Sequence, residues 1–331
     1  MDQKTTDRST FAKGLLLAIP TLVIWGVTYV NTKALLDDFS AFEILFLRFL
    51  MAYGVLWCLK PRRLVVDGWR EEAAYAGMGL AGVTVYQFLE NCALHWTNAS
   101  NVCILVSVCP MTTAILSQVI LGERVLTLRF IAGFVMAMTG ITLVCLNGVY
   151  VLSFHPVGDM LAIAAALSWS FYSVLVTKVN ARGRDPILTT RRMFFWALVA
   201  MLPLLGVSMM PGGDTFADGI FAINFSASAN AARLTRPVNL MNLGFLGVLA
   251  SALCFTAWNA ACERLGTVRA TIGIYMLPAI TILFAWFFLG ERLTAIGALG
   301  AGLILAGVIL SERRAGGDLQ RKGQVHDSSA T

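Results

Sequence analysis

Ten runs of predominantly apolar residues, most about 20 long, follow one another along the chain, and nothing constrains its fold more. A helix needs about 20 such residues to cross roughly 30 Å of hydrocarbon. The runs cover 14–36, 41–59, 73–95, 99–121, 128–147, 157–178, 187–209, 239–262, 268–289 and 295–311, separated by charges, Gly/Pro or polar clusters. Composition agrees, with 57% of the 331 residues hydrophobic and 13% charged. A soluble domain carries about 25% charged residues. These values exclude an ordinary soluble enzyme, a disordered protein and a nucleic-acid-binding domain. They predict an all-α polytopic membrane protein of ten spans. The first run is expected to stay as a span, because it is too long for a signal peptide and holds Trp25 and Tyr29.

The net charge of +6 is explained by where the basic residues fall. Cytoplasmic loops collect Lys and Arg. With the N-terminus inside, 20 of the 25 basic residues lie in cytoplasmic segments, among them Lys60, Arg62, Arg63, Arg184, Arg313 and Arg314. Arg233, Arg236 and Arg292 lie outside, and Lys33 and Arg48 lie within spans. The split predicts an inner-membrane protein with both termini cytoplasmic, so the basic balance needs no acidic partner. The seven cysteines fall within apolar runs without a C-x-x-C pair and read as small core residues.

Shifted by 168 positions, the chain matches itself. Pro110, Thr113 and Leu121-Gly122-Glu123-Arg124 fall on Pro278, Thr281 and Leu289-Gly290-Glu291-Arg292, and Asn91 falls on Asn259. One residue later in register, Thr127, Gly133 and Gly140 meet Thr294, Gly300 and Gly307. Nearer the start the offset is 144, pairing Trp25 with Trp169 and Arg48 with Arg192; the outer loop at 210–238 supplies the difference. The reading is a first half at 1–150, a second at 151–314 and a polar cytoplasmic tail at 315–331. Five spans is an odd number, so the second half enters the membrane from the opposite side. Inverted repeats of this kind are a feature of secondary transporters, with the substrate site near the midplane.

The paired P-x(10)-L-G-E-R signatures at Pro110–Arg124 and Pro278–Arg292, with Trp25 and Trp169 in the opening spans, resemble the EamA-type branch of the drug/metabolite transporter superfamily. The resemblance covers about 14–312. It implies ten helices in 5+5 form, a cavity built mainly from helices 1, 3, 4, 6, 8 and 9, and export of amino acids or similar metabolites rather than uptake.

Candidate site residues fall into four groups. Trp25 and Thr28 share a face of the first span with Thr21 and Thr32. Gln87, Glu90 and Asn91 cluster on the third span, Trp169 and Tyr172 lie on the sixth, and Asn259 and Tyr275 come from the eighth and ninth. This set reads as pocket lining, with core packing the competing reading. Pro110 and Pro278 lie mid-span and free the carbonyls of Val106 and Ile274. They read as cavity-lining kinks or hinges, against plain packing kinks. Charges inside spans are costly and mark function by default. Lys33, Glu43, Arg48 and Glu90 all fall in the outer half of the first three spans, and form either a structural ion-pair network or a site for a zwitterion or proton. Glu90 is the strongest single candidate. Finally, the two L-G-E-R turns (Gly122, Glu123, Arg124; Gly290, Glu291, Arg292) read as helix-hairpin clamps, with a glycine able to take the left-handed cap conformation; a substrate or proton carboxylate is the alternative.

His95, His155 and His326 have no metal-site spacing, no catalytic triad is legible, and no phosphate-cradling glycine loop is present. No metal or cofactor is expected, and ATP-driven transport by this chain alone is disfavoured. The sequence therefore predicts a secondary transporter, a monomer in the bilayer, exporting amino acids or related metabolites by alternating access, with protons as a candidate coupling ion. Multidrug efflux is the near alternative. A membrane-embedded enzyme or a scaffold would be a different class, and neither explains inverted symmetry with paired prolines.

Overall fold

The computed structural model describes residues 3–97, 99–123, 125–145, 155–208, 232–280 and 295–312. Every one of the ten apolar runs is helical along its described residues apart from the short break at Ser107–Val108, and no strand occurs among them. We number the helices α1 (Gln3–Leu35), α2 (Ala41–Leu59), α3 (Trp69–Gly79), α4 (Tyr86–Trp96), α5 (Ala99–Val106), α6 (Cys109–Leu121), α7 (Leu128–Cys145), α8 (Pro156–Asn180), α9 (Pro186–Ser208), α10 (Pro237–Gly244), α11 (Cys254–Leu265), α12 (Thr267–Ile272) and α13 (Ala295–Glu312). Six helical stretches are long and apolar enough to cross a membrane, and the apolar helices Leu128–Val144, Thr267–Ile280 and Ala295–Ser311 are shorter. This is a polytopic membrane protein.

Local sequence explains the helix ends. Ser40 opens α2 with a reciprocal capping box: its hydroxyl accepts from the Glu43 N–H, and the Glu43 carboxylate accepts from the Ser40 N–H. Gly122 closes α6 at φ 70°, the left-handed cap that a side chain would resist. Thr127 then accepts from the Phe130 N–H and starts α7. Glu123 is exposed at that turn. Arg124, Gly290, Glu291 and Arg292, and most of the loop predicted at 210–238, lie outside the described residues.

Several spans are interrupted where a straight helix would be expected. Between α3 and α4, residues Leu80–Val85 widen into π-helix, and between α10 and α11 residues Phe245–Leu253 do the same. A π-turn shifts the register of the backbone hydrogen bonds, and each segment takes a further donor from another span. Ser168 Oγ donates to the Ala81 carbonyl at 2.7 Å, and Trp25 Nε1 donates to the Ala250 carbonyl at 3.0 Å.

The prolines do not kink a continuous helix. Helix α5 stops at Val106, Ser107–Val108 form a turn, and α6 restarts with Pro110 in its first turn, where a missing N–H leaves no orphan. Pro278 likewise follows a 3-10 turn at Gly273–Tyr275.

Helices α7 and α13 pack tightly because glycines let the backbones touch. A Cβ on Gly133 would sit 2.7 Å from the Gly307 carbonyl, and one on Gly140 would sit 2.6 Å from the Gly300 carbonyl. The reciprocal contacts, Gly300 on Gly140 at 2.7 Å and Gly307 on Gly133 at 2.6 Å, are equally close. Small residues of this kind drive helix association where lipid removes the hydrophobic incentive.

Candidate functional site

A cavity lies where α1, α2, α4 and the α5–α6 break meet α8, α11 and the residues before and beside Pro278. Its walls include Trp25, Thr28, Arg48, Tyr86, Gln87, Glu90, Trp169 and Phe255, together with Val106 and Ile274, which lie four residues before Pro110 and Pro278. Residues 25–109 and residues 169–277 therefore both contribute to it.

Aromatic rings build most of the wall. Trp25 and Trp169 meet edge-on at 5.5 Å, Tyr86 lies 4.8 Å from Trp169, and Phe255 lies 5.4 Å from Trp25. Edge-to-face arrays at these separations are stabilising beyond their burial. Trp258 backs the array at 5.1 Å from Trp25.

Two charged side chains face one another among these rings. Arg48 is only 2% exposed, with Nε donating to Ser251 Oγ at 2.9 Å and Nη1 donating to Gln87 Oε1 at 2.8 Å. Its guanidinium also stands 5.2 Å from the Phe49 ring centroid. Among the described residues no carboxylate lies within salt-bridge distance of it. Glu90 is 8% exposed and accepts from the Tyr86 hydroxyl at 2.7 Å.

Trp169 adds an unusual donor. The residue is 3% exposed, and its Nε1–H has no acceptor among the described residues.

Five of the nine predicted pocket residues, Trp25, Thr28, Gln87, Glu90 and Trp169, line this cavity. The other four do not. Asn91 turns away and donates to the Ala41 carbonyl at the start of α2, 3.1 Å away. Its repeat partner Asn259 accepts from the Tyr172 hydroxyl at 2.6 Å and donates to Thr190 Oγ1 at 3.0 Å. Each asparagine thus ties its own helix to the first turns of another, Asn91 to α2 and Asn259 to α9. Tyr275 is fully buried against Phe134 in the cluster between α7 and α13.

The four charges predicted at one depth separate into two levels. Glu43 belongs to the end of the molecule, where Arg233 clasps it at 2.5 and 2.8 Å and also reaches the Asp38 carbonyl. Arg236 and Asn239 hold Asp38 beside it at 2.8 and 2.9 Å. The Asn239 amide, against some opposing burial, and then Arg236 keep the Asp38 carboxyl below its ordinary pKa. Lys33 is exposed there and donates to the Leu94 carbonyl at 2.8 Å. Only Arg48 and Glu90 enter the cavity.

The opposite end is closed by a second ionic cluster that the sequence did not single out. Arg184 bonds Asp67 at 2.6 Å and Glu71 at 3.1 Å, Lys60 meets Asp185 at 2.5 Å, and Arg192 meets Glu72 at 2.6 Å. Arg191 donates to the carbonyls of Lys60 and Arg62. Burial would raise the Glu71 carboxyl, but the Asp67 N–H and Arg184 outweigh it and the net shift is downward. Among the described residues no group of three or more His, Cys, Asp or Glu could hold a metal ion.

Known proteins resemble this chain along nearly its whole length. It is 27% identical over 301 residues to an uncharacterized transporter of Archaeoglobus fulgidus, covering 90% of this chain and 96% of that one. It is 25% identical to a probable terminal-alkyne amino-acid exporter of Streptantibioticus cattleyicolor, covering 92% and 94%. It is 24% identical to a probable amino-acid metabolite efflux pump of Escherichia coli, covering 89% and 93%. A crystal structure at 19% identity superposes with a TM-score of 0.67 over 92% of this chain and 99% of that one, a likeness of fold alone. The pattern of the EamA-like transporter family matches residues 12–146 and again 156–313, so the chain belongs to the EamA-like transporter family.

Proposed function

We propose that this protein is a secondary transporter that exports amino acids or related small metabolites across a bacterial-type inner membrane by alternating access. One observation carries the reading: a cavity shared by both parts of the chain holds a buried cation, Arg48, and a buried acid, Glu90, inside an aromatic wall. Buried charges are costly and mark function by default, and a substrate carrying both a carboxylate and an ammonium matches the two in sign. The names of the Streptantibioticus and Escherichia relatives point the same way.

The working arrangement is ten helices in two inverted five-helix halves, 1–150 and 151–314, with both termini cytoplasmic and one chain sufficing. Three observations support it. The family pattern matches twice, the π-segments recur after α3 and after α10, and the glycines paired by the repeat meet across α7 and α13. In this arrangement the Arg233–Glu43 and Arg184–Glu71 clusters close the outer and inner ends, and transport requires them to part in alternation. Broken helices beside Pro110 and Pro278 supply the joints. Multidrug efflux is the weaker reading, because a cavity carrying one cation and one acid matches a zwitterion better than a lipophilic cation. No catalytic role is proposed.

Purified protein in liposomes should release preloaded amino acids without ATP, assayed over the twenty L-amino acids with and without a proton gradient. Absence of flux for every one of them, beside a positive-control exporter, would sink the amino-acid reading.

A further inference from the structure

We infer that Arg48 and Trp169 together form a carboxylate clasp, so that a free carboxylate is the obligatory recognition group of the substrate and the ammonium is its partner on the Glu90 side. The inference rests on the export reading above and narrows it.

Four observations carry it. Arg48 is held in place rather than neutralised. Ser251 and Gln87 fix Nε and Nη1, both partners are uncharged, and the guanidinium retains donors beyond the two they use. Glu90 shares the cavity and acts on Arg48 through the field, yet no carboxylate among the described residues reaches salt-bridge distance, so the guanidinium can still take a direct ionic partner.

The second observation is the spare indole N–H of Trp169, in the same cavity wall. Buried donors nearly always find an acceptor. Its repeat partner Trp25 has one, the displaced π-carbonyl of Ala250. In the other π-segment the cross-span donor is Ser168, which bonds the Ala81 carbonyl, one position before the residue that matches Ala250. The Trp169 indole makes no such bond among the described residues. One indole donor is thus left unspent on the same cavity as the Arg48 guanidinium.

Third, the chemistry of the two donors is complementary. A guanidinium presents a planar array of N–H groups suited to a carboxylate, and an added indole N–H can bind a further lone pair of the same group. A hydroxyl, an ester carbonyl or an amine would satisfy one donor at most and leave the charge of Arg48 uncompensated.

Fourth, the opposing wall suits a cation. Glu90 is oriented by the Tyr86 hydroxyl at 2.7 Å, and the faces of Trp25 and Tyr86 border the same space. The ammonium and carboxylate of an α-amino acid match Glu90 and Arg48 in charge.

The test is binding of the twenty L-amino acids to the purified full chain in nanodiscs, followed by cavity tryptophan fluorescence. The strongest binder is then compared with its methyl ester and its decarboxylated amine. The clasp predicts that the ester and the amine bind at least about tenfold more weakly than the acid, since a site built around an ion pair rejects the analogue lacking it. Trp169→Phe keeps a ring in the wall but removes the donor, and Arg48→Lys keeps the charge but removes the fork. Each should reduce the acid-to-ester ratio several-fold. That ratio is measured within one preparation, so a smaller folded fraction does not change it. Equal binding of acid and ester, or an unchanged ratio in both variants, overturns the clasp and leaves transport of amino acids standing. No binding by any amino acid overturns the amino-acid reading and the clasp with it.

Discussion

At the residue scale, position along a helix decides which charge can serve a substrate. Glu43 and Arg48 lie five residues apart on α2, about 7.5 Å of rise. That distance separates an end-capping acid held by Ser40 and Arg233 from a cation inside the cavity. Glu90 and Asn91 are neighbours, so they point about 100° apart, one into the cavity and the other onto the Ala41 carbonyl. The three polar residues that cluster on the third span therefore part, Gln87 and Glu90 at the cavity and Asn91 at the start of α2. Trp25, Thr28, Gln87, Glu90 and Trp169 were legible because polar and aromatic groups in mid-span need a reason to be there. Tyr86 and Phe255 were not, since an aromatic residue in an apolar run looks the same whether it lines a cavity or fills a core. The consequence is measurable. Glu90→Gln should lower flux in liposomes by about tenfold or more, the loss of one charge-assisted contact of about 1.5–3 kcal/mol. Glu43→Gln should instead lower the yield and thermal stability of the protein, with flux per folded molecule close to wild type. Equal flux defects in the two variants would contradict the division.

At the scale of elements, the interruptions are more informative than the helices. Proline explains the restart at α6 but not the π-segments, whose sequences LAGVTV and FLGVLASAL carry no proline. They are stabilised from outside, by Ser168 and Trp25, so no local pattern announces them. Glycine spacing on α7 and α13 was visible as a repeat, whereas its purpose needed the partner helix. Gly140→Val should push α7 and α13 apart, because its Cβ would lie 2.6 Å from the Gly300 carbonyl. Overpacking of this kind costs about 1–3 kcal/mol, to be read as a lowered melting temperature in detergent. Gly54→Val, where nothing lies within 4 Å of the added Cβ, is the control and should leave it nearly unchanged.

At the scale of the whole molecule, two ionic clusters at opposite ends and a cavity between them make a body that alternating access can use. The proposed orientation puts the Arg184–Glu71 cluster inside and the Arg233–Glu43 cluster outside. Single cysteines at Arg63 and Arg313 should then react with a membrane-impermeant maleimide only from the cytoplasmic side, and one at Gly213 only from the outside. A reversed pattern at any of the three would break the orientation, while leaving the cavity chemistry untouched.

The chain by itself determined that the protein is helical, membrane-embedded and internally repeated, because hydrocarbon thickness and the charge of its loops act on every residue alike. It also named most of the polar groups that would need explaining. Only the tertiary structure decided which of them share a space. Arg48 shares the cavity with Glu90 because α2 and α4 meet, and Trp169 brings a donor with no acceptor among the described residues to the same wall from α8. Such outcomes depend on which helix lies beside which, and apolar runs of nearly equal composition do not encode that in any local pattern.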